Sequence, residues 1–206
     1  EEEAKAALAS TSSPGTVTEI KARRNTRKPP APLNTTAFTT DASSRLGITP
    51  ARAMRLAEDL YMDGYISYPR TDNTVYPESI DTKQLITELV KIDDFKAAAP
   101  LLEQDSLEPT RGKKETTDHP PIYPTAAVNP KRLEARSEAH RRVYELVARR
   151  FLATFSPPMV SEGTRANIVT AKGRPDAQSG EAYFVRGSVV VDPGFTAGDA
   201  VEPSRR

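Results

Sequence analysis

Two proline clusters, Pro29-Pro30-Ala31-Pro32 and Pro157-Pro158, bracket the middle of this 206-residue chain. Such runs are stiff and extended and cannot continue a helix, so each marks a junction. The texture changes at both. Before the first cluster, Val17–Ile20 alternates apolar and polar residues, as a half-buried strand does. After the second, Arg165–Ala171, Tyr183–Val185 and Ser188–Val191 read as strands separated by glycine turns. Between the clusters the pattern is helical. A four-residue strand needs partners, and the nearest candidates lie after residue 165. The order therefore predicts a discontinuous α+β chain. Residues 1–29 and 158–206 form two parts of one β-rich domain, and 30–157 form an inserted, mainly helical domain.

Within the insertion, the best-bracketed helix spans about 50–62. Thr49 can cap it, Pro50 suits its first position, and Gly64 suits the residue past its end. Met54, Ala57, Leu60 and Tyr61 share one face at helical spacing. Further helices are expected near 37–46 and 78–91, and the clearest at 134–155, with loops dominating 96–130. Residues 1–15 look like a frayed end, and Lys21–Lys28 like a basic approach to the first proline run.

Composition then narrows the chemistry. Cysteine is absent, which excludes disulfide frameworks, zinc fingers and thiol catalysis. No run of about 18 apolar residues exists, and Glu1-Glu2-Glu3 is the opposite of a basic signal-peptide start. The expectation is a soluble cytoplasmic protein, nucleoid-associated in a prokaryote, with no membrane partner. The net charge of +1 hides a pattern. Residues 20–57 hold eight basic and one acidic side chain, 71–108 nine acids and three lysines, and 111–152 ten basic and five acidic side chains. Two basic tracts separated by an acidic one suit a polyanion held on one face; ordinary solvated helix faces account for them equally well.

The segment Gly64-Tyr-Ile-Ser-Tyr-Pro-Arg-Thr-Asp-Asn73 concentrates reactive groups. A phenol with a pKa near ~10 is a poor nucleophile unless a cation lowers that pKa or stabilises charge on the group attacked. Arg70, two residues beyond Tyr68 on an extended backbone, can hold a phosphate bidentately while Tyr68 Oη attacks phosphorus. The same residues also suit a packed aromatic followed by a turn with an Asx cap.

This segment resembles the active-site motif of type IA DNA topoisomerases, closer to the topoisomerase III branch than to the usual bacterial topoisomerase I sequence. Pro30-Ala-Pro-Leu-Asn-Thr-Thr-Ala-Phe38 and Ser43-Ser-Arg-Leu-Gly47 resemble the stretch leading into that family's catalytic-tyrosine domain. Asp118-His-Pro-Pro-Ile-Tyr-Pro-Thr125 resembles its His-x-x-Ile-x-Pro-Thr/Ser element. The resemblance implies that Tyr68 is a nucleophile forming a 5′-phosphotyrosyl bond to one DNA strand, with ATP-independent strand passage and religation. Arg70 and His119 would be its catalytic companions, and Arg45, Ser67, Thr71 and Asp72 would contact DNA or shape the pocket. Ser67 stands where the bacterial branch often has threonine, and Met62 where it often has glutamate. The β-rich domain would be the family's arch (domain II), and the insertion a winged-helix-like domain III.

The family's metal-binding TOPRIM module, with its Asp-x-Asp cluster and general-acid glutamate, has no counterpart here; Asp93-Asp94 is adjacent and unsuited to that geometry. The resemblance thus implies a fragment, inactive alone. Its partners would be DNA, especially single-stranded segments, and the TOPRIM and gate parts of the same polypeptide. Mg2+ would serve the complete enzyme without a site in this chain. The rival reading is a non-enzymatic winged-helix-like module that binds single-stranded DNA, stacking Tyr65 and Tyr68 on bases.

Overall fold

The computed structural model describes residues 15–133, 136–170 and 181–197, together with Glu2 and Lys5. The expected frayed start and the end of the strand at 165–171 lie largely outside the described residues. Two compact units emerge, one from Glu1–Arg27 with Met159–Pro193, the other from Lys28–Pro158 with Gly194–Arg206.

The first unit is a three-stranded antiparallel sheet in the order β1-β2-β3. Its strands are β1 (Thr16–Arg27), β2 (Met159–Thr170) and β3 (Glu181–Asp192). Ile20 pairs with Ala166, and Ala166 with Val185, so the early strand does join the late ones. All three run longer than the sequence pattern indicates. Lys21–Arg27 is strand rather than connector, and Gly187 lies inside β3 opposite Thr164 rather than in a turn.

The second unit is helical: α1 (Thr35–Leu46), α2 (Pro50–Met62), α3 (Thr82–Leu89), a 3-10 stretch over Asp93–Glu103, the short α4 (Pro130–Leu133), α5 (Glu138–Thr154) and a 3-10 turn at Gly194–Thr196. Local signals set the starts. Asn34, Thr49, Asp81 and Ser137 each accept a hydrogen bond from a first-turn backbone N–H. Gly47 takes the left-handed conformation that closes α1. The expected helix over 134–155 starts at Glu138 instead, because Ser137 caps it there, and α3 starts at Thr82 rather than 78 for the same reason with Asp81.

The core forms where α5 lies against α1 and α2. Leu33, Phe38, Leu60, Val143, Val147 and Phe151 are fully buried, and Tyr76, Phe151 and Phe155 stack around them. Arg150 at the edge of this core bonds the Ala31 carbonyl and Asp41 of α1. After β3 the chain returns to this unit, where Phe195 is buried and its N–H bonds the Pro157 carbonyl. Among the described residues no helix is long and apolar enough to cross a membrane.

Candidate active site

The site begins with the end of α2. Gly64, at φ +76°, closes the helix: its N–H bonds the Tyr61 carbonyl and the Tyr65 N–H bonds that of Leu60. This pair of bonds is the Schellman arrangement, which reverses the chain within one residue. Residues 65–67 then run antiparallel to 121–125. Ile66 bridges Pro124, the Ser67 N–H bonds the Tyr123 carbonyl, and the Thr125 N–H bonds that of Tyr65. The Ser67 hydroxyl, buried, donates to the Pro121 carbonyl at 2.8 Å and accepts from the Tyr123 N–H at 3.0 Å. A third segment joins here, with the Ile122 N–H on the Leu33 carbonyl and the Thr35 N–H on that of Thr71. The three stretches singled out in the sequence therefore meet.

Tyr68 projects half-buried from this junction. Its ring lies edge-on to Tyr61, centroids 5.2 Å apart, and 4.7 Å from the His119 ring. Its side chain is held by these ring contacts, and its hydroxyl has no hydrogen-bond partner among the described residues. Tyr61, expected on the apolar face of α2, is 41% exposed instead and forms one wall of the site. The last turn of α2 rotates past the core, so its aromatic faces Tyr68.

His119 is exposed, but its backbone is fixed. The Thr71 hydroxyl donates to its carbonyl at 3.2 Å and the Asn73 amide at 3.1 Å; Asn73 reaches the Thr116 carbonyl as well. Thr71 is itself locked, its N–H bonding the Thr35 hydroxyl. Thr71 and Asn73 are buried and touch His119 rather than the phenol. Beside them, the Asp118 carboxyl is held below its usual range by the Thr116 hydroxyl, then by the His119 backbone N–H. Burial pushes the Tyr123 hydroxyl up.

The other proposed residues are placed differently. The Arg70 guanidinium pairs with Glu58 of α2, Nε at 3.0 Å, and both side chains are more than a third exposed. Asp72 pairs with Lys114. Arg45 is exposed in the last turn of α1, about 15 Å along the helix from Thr35 at ~1.5 Å per residue. Among the described residues no group of three or more His, Asp or Glu side chains is placed to hold a metal ion.

A family model described as DNA topoisomerase matches residues 1–205. DNA topoisomerase 1 of Archaeoglobus fulgidus is 44% identical over 194 residues, which are 94% of this chain and 27% of that protein. The chain belongs to the type IA DNA topoisomerase family. DNA topoisomerase 3-beta of Drosophila melanogaster is 36% identical over 184 residues, 88% of this chain and 19% of that protein. The chain thus spans between about a fifth and just over a quarter of these topoisomerases. Full-length topoisomerase I from Thermotoga maritima superposes with a TM-score of 0.68 over 98% of this chain and 32% of its own. At 24% identity that likeness speaks for the fold alone.

Sequence reading missed Glu58, Tyr61, Asn73 and Lys114 as neighbours of this candidate site. Glu58 and Tyr61 precede Tyr68 by ten and seven residues, and only the reversal at Gly64 brings them back to it. Lys114 sits in a loop without periodicity. Asn73 carried a signal, since an Asx turn was one reading of its segment, and Asn73 Oδ1 does accept from the Val75 N–H.

Proposed function

We propose that this chain supplies the nucleophile of a DNA topoisomerase that opens one DNA strand through Tyr68. Tyr68 Oη attacks the phosphorus and loses its proton. The bond from phosphorus to the 3′-oxygen breaks, and that oxygen leaves as a protonated hydroxyl. The 5′-phosphate stays on the tyrosine until the 3′-hydroxyl attacks it in the reverse step, so neither ATP nor water is consumed. The observation that carries this reading is the seat of Tyr68: a half-exposed phenol set against Tyr61 and His119, whose hydroxyl has no hydrogen-bond partner among the described residues.

Arg70 holds the scissile phosphate in this reading. Its pairing with Glu58 is compatible with that role, because an exposed ion pair contributes about 0–1 kcal/mol and is readily exchanged for a phosphate. His119 lies against the phenol and supports cleavage from the DNA side. Ser67, Thr71 and Asp72 shape the pocket and Arg45 contacts DNA further along α1. Mg2+ and the general acid come from elsewhere in the polypeptide, so this chain alone does not complete the reaction. The strand unit is the family's arch in two parts and the helical unit its winged-helix-like tyrosine domain. The whole enzyme acts on single-stranded DNA segments, in the cytoplasm or at the nucleoid of a prokaryote.

Arg70 provides the test. In the full-length enzyme, Arg70→Ala is expected to depress cleavage by about 10²–10³-fold, the loss typical of one preorganised donor. DNA binding should weaken modestly, with the salt slope falling by about one unit. Arg70→Lys should rescue only partly, since an ammonium lacks the planar fork. Equal losses in binding and cleavage, fully rescued by lysine, would make Arg70 a generic electrostatic contact.

A further inference from the structure

Residues paired across antiparallel strands point to the same face, and successive residues alternate between faces. In the strand unit this rule sorts the charges. Lys21 pairs with Arg165, and Arg165 with Arg186, so three cations stand in one row across the sheet. Arg23 and Arg27 follow on the same face at alternate positions of β1, and β1 is exposed along its whole length. Glu19 is the one acid on that face among the described residues, and it is bound to Lys21 and Asn167. The opposite face has a different character: Ile20, Ala22, Ala166 and Val185 lie there, and its Arg24 is opposed by Glu162.

Like charges directly opposite one another destabilise a sheet, so a row of three cations is costly without an anion to share. Alternate residues of a strand are also about 7 Å apart, which suits a chain of regularly spaced phosphates. An aromatic completes the surface. Phe184, 54% exposed, lies on the cationic face with the Arg165 and Arg186 guanidinium groups 4.6 and 4.8 Å from its ring centre. Cations beside an exposed aromatic are the combination that tracks a nucleic-acid backbone and stacks on a base.

We infer that the face of the strand unit carrying Lys21, Arg165, Arg186 and Phe184 binds the phosphodiester backbone of a nucleic acid. This surface belongs to the strand unit and Tyr68 to the helical one, and the inference rests on the charge row rather than on the cleavage chemistry.

The chain has no tryptophan, so Phe184→Trp installs a single reporter on this face, and Val185→Trp installs one on the opposite face. Each reporter chain is titrated at low salt with a short oligothymidylate and with a duplex of the same length. Saturable fluorescence change is expected for the reporter at 184 and not at 185. Adding Lys21→Gln, Arg165→Gln and Arg186→Gln to the 184 reporter should weaken binding at least ~10-fold and flatten the salt dependence by about two to three units, at 0.7–0.9 per phosphate contact. Circular dichroism checks that strand content is kept. The oligonucleotide that acts at lower concentration identifies a single strand or a duplex as the occupant. Silence of the 184 reporter toward both, or binding by the triple variant within about twofold of its parent, would overturn the inference.

Discussion

The Asn73 amide donates to two carbonyls, Thr116 at 2.8 Å and His119 at 3.1 Å, while its Oδ1 accepts from the Val75 N–H at 2.9 Å. At 4% exposure no water replaces these bonds. Asn73→Ala would strand the Thr116 carbonyl and the Val75 N–H, while the His119 carbonyl keeps the Thr71 hydroxyl, and each unsatisfied buried group costs about 1–3 kcal/mol. We expect Asn73→Ala to lower the unfolding free energy measured in urea by an amount in or above that range. In the full-length enzyme it should also depress cleavage, because the His119 backbone loses one of its two anchors. An unfolding free energy within about 0.5 kcal/mol of wild type would show that the amide bonds are not holding the loop. The sequence marked Asn73 only as part of a polar turn. Its own turn bond is local and legible; its grip on residues some 45 positions away is not, because no local pattern encodes which carbonyls a distant loop will present.

α2 shows how an element's end aims a site. Gly64 has open space where a Cβ would sit, so Gly64→Ala meets no clash; the cost is conformational, about 1–2 kcal/mol for a non-glycine residue in the left-handed region. Chemical denaturation should show a loss of that size, and a loss below about 0.3 kcal/mol would mean that the reversal is not tied to φ. The stop at Gly64 was legible from composition alone, as were Thr49 and Pro50 at the start. The strands were less so. β1 is solvent-exposed on both faces, so beyond Ile20 it carries no apolar alternation to read, and Gly187 imitates a turn inside β3. α5 supplies a pH prediction. Burial raises the Tyr144 hydroxyl to about 12, and that of Tyr76 further. Each folded pKa lies above the unfolded value of about 10, so the stabilisation is complete below pH ~10 and drains away as pH climbs through 12. Helix circular dichroism in fixed, subdenaturing urea should hold steady to about pH 10 and then fall. A transition centred well below pH 9 would contradict this account of the core.

At the scale of the molecule, the chain divides into a strand unit assembled from its two ends and a helical unit between them. The β–helical–β order was visible because proline clusters punctuate it, whereas the return of Gly194–Thr196 to the helical unit was not. There Phe195 is a single buried aromatic with no periodic neighbours. The helical unit draws residues 30–38, 64–73 and 118–125 to one place, and Tyr68 stands where they meet. In the proposed reaction this tyrosine becomes bonded to DNA. The most direct measurement is peptide mass spectrometry of the full-length enzyme denatured during turnover on a single-stranded oligonucleotide. The expected result is a nucleotide adduct joined through a 5′-phosphate to Tyr68, and no adduct from Tyr68→Phe, which should keep its fold and much of its DNA affinity. An adduct on another residue, or one that persists in Tyr68→Phe, would contradict it.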